Sequence, residues 1–184
     1  MSSSFSSRLE PGERLLWEGQ PDKRRFVLGP ENVFLIPFSL MWGGFAIFWE
    51  SSVLAGGAPI FFWLWGIPFV LAGLYLIFGR FLVASARADR THYAVTDRRV
   101  LVASGLLSRS VQELDLKRLP YLQLTEGRSG VGSILFTMPG PGVWSSSMSP
   151  WWSDYADHGV AFRAIPDVAA VYRMIQGARS ALDA

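Results

Sequence analysis

Cysteine is absent from the 184-residue sequence, and histidine nearly so, with only His92 and His158. The first absence removes disulfides, thiolate nucleophiles and cysteine metal sites, and the second removes a histidine-rich metal cluster. Charge of one sign is also scarce. Seventeen Lys and Arg against fifteen Asp and Glu leave a net charge of +2, too weak a balance to point to nucleic acid. No Gly-x-Ser-x-Gly elbow occurs, so a nucleophile of that type is not indicated. The first thirty residues are polar and mixed in charge. They offer no early apolar stretch of the kind a cleavable signal peptide needs, and membrane insertion is expected to rely on the first apolar helix. Charge is scarcest of all between Val33 and Phe78, where Glu50 is the single charged residue.

What is abundant is hydrophobic: half of all residues, concentrated in that interval. Pro59 to Gly79 meets the requirement of about 20 apolar residues for a helix crossing a bilayer. Val33 to Trp49 is shorter and holds Pro37 and the Gly43-Gly44 pair, which lipid tolerates in a helix. Residues 50–58 read as the connecting loop, short enough to make the two helices antiparallel neighbours, with Glu50 a solvated loop residue at a helix end. Lys23, Arg24 and Arg25 precede the first span, and Arg80, Arg87 and Arg90 follow the second. The connection has no cation. The bias of Lys and Arg toward the cytoplasmic side then puts both termini in the cytoplasm of a multi-pass inner-membrane protein. Trp49, Trp63 and Trp65 gather at the loop end, where an outer aromatic belt sits. With no second charged residue in either span, transport is discounted.

From residue 87 the pattern changes to short alternating segments. Thr91–Thr96, Val100–Ser104, Ser110–Leu116, Tyr121–Thr125, Ser133–Thr137 and Val160–Ile165 read as strands, with Asp97-Arg98-Arg99 as a tight turn. After Ile165-Pro166, Asp167 reads as a helix N-cap, and Val168, Val171, Tyr172 and Ile175 form one apolar stripe. The fold class expected is α+β: a transmembrane helical hairpin (33–79), then an antiparallel β-barrel or sandwich (87–184) capped by one C-terminal helix (167–181). A cytoplasmic segment, residues 1–32, leads in.

The run Tyr93-Ala-Val-Thr-Asp-Arg-Arg-Val100, Gly105, Asp115-Leu116, Gly130-Val-Gly-Ser-Ile-Leu-Phe136 and Phe162-Arg-Ala-Ile-Pro-Asp167 resembles the bacterial pleckstrin-homology-like domain family. Pro11-Gly-Glu13 with Leu15-Leu-Trp-Glu-Gly19 resembles the opening of its membrane-anchored members, which precedes two transmembrane helices. The resemblance implies a bacterial protein with a seven-stranded, partly open barrel and a C-terminal helix. Only six strands are evident. The seventh lies either within Pro139–Gly159 or in the segment Glu13–Trp17.

Catalytic residues, metal ligands and cofactors are not expected. Asp154, Asp157 and His158 are neighbours in a loop, which does not make a catalytic set. Gly127 to Gly132 leads into a strand and lacks the lysine of a phosphate loop. Two constellations suggest binding. Arg98, Arg99, Lys117, Arg118 and Arg128 lie in turns of the strand domain, where they can meet an anionic headgroup or an acidic peptide. The interspersed acids favour the plainer reading, solvated turn residues or a pair of Arg98 or Arg99 with Asp97 or Asp115. The interval 139–159 carries Trp144, Met148, Trp151, Trp152 and Tyr155 among Ser, Pro and Gly. It suits either the membrane interface or packing over the barrel. The function expected is a non-catalytic, membrane-anchored binding module for a lipid or protein partner. The alternative is an accessory subunit or homo-oligomer assembled through the hairpin, using Gly43, Gly44, Ala72 and Gly73.

Overall fold

The computed structural model describes residue 5 and residues 8–106, 109–127, 129–137 and 160–183, the side chains of 30–34 and 183 excepted. The chain divides into two compact units: Met1–Phe26 with Ala86–Ala184, and Val27–Ser85.

In the first unit, β1 (Leu15–Gly19), β2 (His92–Thr96), β3 (Arg99–Ser104) and β4 (Ser110–Asp115) form an antiparallel sheet in that order. A second sheet holds β5 (Gln123–Glu126), β6 (Gly132–Leu135) and β7 (Ala161–Ile165). These are two sheets and not a closed barrel, because among the described residues no ladder joins them into one. The seventh strand comes from the N-terminal segment. Its Trp17 pairs with Val95 and Glu18 with Ala94, so β1 joins β2 across the whole intervening hairpin.

Alternation sends Tyr93, Val95, Val100 and Val102 inward from the first sheet. Ile134 and Phe162 answer from the second, with Phe136 just beyond β6. Phe162 is the centre of an aromatic group, with ring centroids 4.8 Å from Tyr93, 4.9 Å from Phe136 and 5.8 Å from Trp17. The C-terminal helix (Val168–Asp183) closes this core with Val168, Val171 and Ile175, the stripe its helical spacing predicts. Gly132 permits the approach of that helix. A Cβ there would stand 2.2 Å from the Thr125 carbonyl oxygen and 2.7 Å from Val168. The outer face of the first sheet carries a smaller cluster of Phe5, Ala94, Leu101 and Ala103. The N-terminal segment is therefore part of the strand domain.

After a short helix α1 (Lys23–Val27), the second unit contains α2 (Pro30–Ala55) and α3 (Ile60–Leu74). A π-helical turn, Tyr75–Gly79, joins α3 without a break to α4 (Arg80–Arg90). The C-terminal helix of the strand domain is α5. The expected loop over 50–58 shrinks to residues 56–59. Glu50 lies inside α2 and not in a loop, because nothing from Glu50 to Ala55 breaks a helix. The Ser51 and Ser52 hydroxyls donate back to the carbonyls of Ile47 and Phe48, which keeps them within it.

The seam of the hairpin is built from small residues. Ser39, Gly43 and Ala46 of α2 are buried, as are Gly66 and Gly73 of α3. A Cβ on Gly73 would come within 2.9 Å of the Gly43 Cα. Glu50 lies in the same seam, its carboxylate against Gly66 and its Oε2 buried without a hydrogen bond. Large apolar side chains such as Phe48, Phe61, Leu64, Trp65 and Leu71 point outward and are exposed.

Candidate functional site

The turn between β2 and β3 is organised by Thr96. Its hydroxyl accepts from the backbone N–H of Arg98 (3.2 Å) and of Arg99 (2.9 Å). It lies 2.7 Å from Glu13 Oε1, to which it donates. Glu13 reaches this place through Gly12, whose φ of 83° is a left-handed conformation that glycine adopts freely. The Arg14 N–H donates to the Asp97 carboxylate (3.0 Å), and the Asp97 N–H to the Arg14 carbonyl (3.1 Å). The two segments are zipped together, although 83 positions separate them.

Arg99 completes the lock. Its Nε donates to Glu13 Oε1 (2.9 Å) and its Nη2 to Glu13 Oε2 (2.8 Å), a bidentate pair. Nη1 is 2.6 Å from Glu113 Oε2 and 3.6 Å from Glu10 Oε1, and Nη2 also reaches the Arg8 carbonyl at 3.1 Å. The Glu13 side chain is fully buried and that of Arg99 is 16% exposed. Burial pushes the Glu13 carboxyl up. The bonds from Arg99, the Glu10 N–H and Thr96 outweigh it and hold the group down at about 2. The bond to Glu13 raises Arg99 in turn, against its own burial. Four hydrogen bonds from this guanidinium go to acceptors of the chain itself, with Glu10 at ion-pair distance besides. Of the segments that carried the sequence resemblance, Pro11-Gly-Glu13 supplies the acid and Tyr93–Val100 the base of a single cluster.

Arg98 stands differently. Its side chain is about half exposed and 3.7 Å from Glu10. Lys117 and Arg118 project from a 3-10 turn, Leu116–Arg118, that the Asp115 carboxylate caps by accepting from the Lys117 N–H. The Leu116 N–H donates to the Arg98 carbonyl at 2.9 Å. Arg98, Lys117 and Arg118 therefore share one end of the first sheet, together with the Glu13–Arg99 lock. Arg128, Trp144, Met148, Trp151, Trp152, Tyr155 and His158 lie outside the described residues.

The opposite end of the first sheet has a shallow cleft lined by Thr91, Tyr93, Val102, Ser104, Gln112, Ala161 and Arg163. The Tyr93 hydroxyl accepts from the Arg163 N–H there at 3.1 Å. The end of α4 comes in beside it, with the Arg90 guanidinium donating to the Leu106 carbonyl. The Phe136 N–H donates to the Val160 carbonyl at 3.0 Å, which draws together the two roots of the interval 138–159. Among the described residues no group of three His, Asp or Glu is placed to hold a metal.

The sequence reading missed Glu13. It matched Arg99 only with acids near in sequence, and distance along the chain hid the true partner. The signal lay in two segments themselves, Pro11-Gly-Glu13 with its acid and Asp97-Arg98-Arg99 with its paired arginines.

The family model described as bacterial PH domain matches residues 39–179, more than three quarters of the chain. No curated protein and no solved structure matches it. The match starts within α2, runs through β2 to β7 and closes in α5, leaving β1 and Glu13 outside. The chain belongs to the bacterial PH domain family.

Proposed function

We propose that this protein is a non-catalytic, membrane-anchored binding module whose hairpin spans the cytoplasmic membrane and whose PH-like unit offers a cytoplasmic surface to a lipid or protein partner. One observation carries the anchoring. The helical stretches Leu35–Ala55 and Ile60–Arg90 have the length and hydropathy of membrane spans, yet only 17% and 11% of their most apolar windows are buried. A helix from the core of a soluble protein hides such a surface. This one presents it, and a contiguous apolar face of that size is not stable in water. Arginines and a lysine flank the spans on the side of both termini, and the turn between them has none.

Two surfaces divide the binding. The Trp-rich interval 139–159 is offered to the inner leaflet, because the tryptophan ring is apolar and its N–H polar, which suits the membrane interface. Arg98, Lys117 and Arg118 gather where the β2–β3 turn meets the 116–118 turn. They offer a basic surface to an anionic partner. Arg99 takes no part in that contact, since its donors are engaged by Glu13 and Glu113. The accessory-subunit reading loses support, because Gly43 and Gly73 are used to close the hairpin on itself.

The test is topological. A compartment-sensitive reporter goes at the C-terminus and, separately, in the turn at residues 56–59. A cytoplasmic C-terminus with an external turn is the expected result. A C-terminus on the far side would place the PH-like unit in the wrong compartment and end the proposal.

A further inference from the structure

Arg80 is the first charged residue after the stretch from Ser51 to Gly79. It follows directly on the π-helical turn Tyr75–Gly79. Such turns interrupt regular helices at functional positions more often than elsewhere. Its Nε, Nη1 and Nη2 are all buried and none has a hydrogen-bond partner. The guanidinium carbon lies 4.6 Å from the centroid of the Phe81 ring. That cation–π contact offsets part of the burial cost and uses none of the N–H donors. Arginine does not shed its proton in a protein, so the charge has to be met by an anion. Among the described side chains of the hairpin unit, Glu50 is the only carboxylate. It packs at the level of Gly66, about 21 Å along the helix at ~1.5 Å per residue. The flanking residues Phe78 and Leu82 are 62% and 71% exposed, so the surroundings are apolar.

A buried cation with orphan donors, at the end of an apolar span and between exposed apolar side chains, fits one kind of ligand. We propose that Arg80 seats the phosphodiester of a membrane lipid at the cytoplasmic headgroup level, with Phe78 and Leu82 against its acyl chains. This rests on the hairpin spanning the bilayer. The guanidinium turns off the Phe81 ring and exchanges that contact for two charge-assisted hydrogen bonds to phosphate oxygens. Arg90, farther along α4, is engaged by the Leu106 carbonyl and does not compete.

The experiment uses the full chain, extracted in a mild detergent and titrated with a short-chain phosphatidylglycerol, with bound lipid counted by native mass spectrometry. Arg80→Gln is expected to weaken the tightest site about tenfold or more, and Arg80→Lys to weaken it less, since an ammonium keeps the charge without the fork. Diacylglycerol, which has no phosphate, is expected not to bind. Equal retention of phosphatidylglycerol by wild type and Arg80→Gln overturns the proposal, as does equal binding of diacylglycerol. Displacement of the lipid by inorganic phosphate alone assigns the site to a free anion and overturns the lipid. Should Arg80→Gln fail to fold, Arg80→Lys carries the test: undiminished binding by that variant counts against a forked contact. Alkaline carbonate extraction separates the two layers of the argument. A chain released from the membrane fails the hairpin reading. A chain that stays while Arg80→Gln keeps its lipid fails this inference alone.

Discussion

Arg99 and Glu13 illustrate what one buried ion pair does to a chain that visits two places before its sheet closes. The pair is desolvated, which costs free energy, and four further hydrogen bonds to Glu113, Arg8, Thr96 and Glu10 offset that cost. Arg99→Ala leaves Glu13 charged and buried, and a loss of ~3–5 kcal/mol is expected; Arg99→Lys recovers part of it. Thermal or denaturant melts of the detergent-solubilised protein read both. The same pair sets an acid limit. The Glu13 carboxyl is lowered from 4.5 to about 2 in the folded protein. Its stabilising effect is therefore complete above about 4.5 and drains away as the pH falls toward 2. Melting temperature followed downward from pH 6 falls less in Glu13→Gln than in wild type across that window. A parallel decline in the two proteins would show that Glu13 is not the titrating group.

At the level of elements, glycine at three positions does separable work. Gly73 meets the Gly43 backbone, Gly132 meets the Thr125 carbonyl, and Gly44 meets nothing within 4 Å. Gly73→Leu is expected to pry the hairpin open and lower the melting temperature in detergent, and Gly44→Ala to leave it unchanged. If both are silent, the seam is not where the hairpin is held. Gly132→Ala forces β6 away from β5 or α5 and is expected to cost the ~1–3 kcal/mol typical of overpacking, read by the same melts. The sequence announced most of these elements. Alternation gave away β2 to β7 and the spacing of Val168, Val171 and Ile175 gave away α5, because one buried face imposes a period. It placed the end of α2 too early. Glu50, Ser51 and Ser52 look like loop residues by polarity, but in a helix the serine hydroxyls return to the preceding turn and the carboxylate finds the notch at Gly66.

The strand domain has its first strand separated in sequence from the others by an apolar helical hairpin. The N-terminal segment contributes β1, the Phe5 contact and Glu13, so residues 86–184 alone lack an edge strand and half of the ion pair. Expressed alone, that fragment is expected to melt without a cooperative transition. Joining residues 8–26 to it through a short flexible linker is expected to restore one. A cooperative transition in the bare fragment would show that β1 is dispensable. The Trp-rich interval is tested at the same scale. Brominated lipid in reconstituted vesicles quenches its tryptophans if it lies on the inner leaflet, measured with Trp42, Trp49, Trp63 and Trp65 changed to Phe to remove the hairpin's own signal. No quenching leaves packing against the domain.

The amino-acid sequence alone determined the two apolar helices, the succession of short strands and the amphipathic helix that ends them. All of these are written in local composition and period, which need no knowledge of what lies far along the chain. Tertiary structure decided three matters: that β1 pairs with β2, that Arg99 answers Glu13 and not a neighbouring aspartate, and that the Arg80 donors are buried without a hydrogen-bond partner. Each depends on which residues meet across dozens of positions, and the energy of a buried charge is set by those meetings.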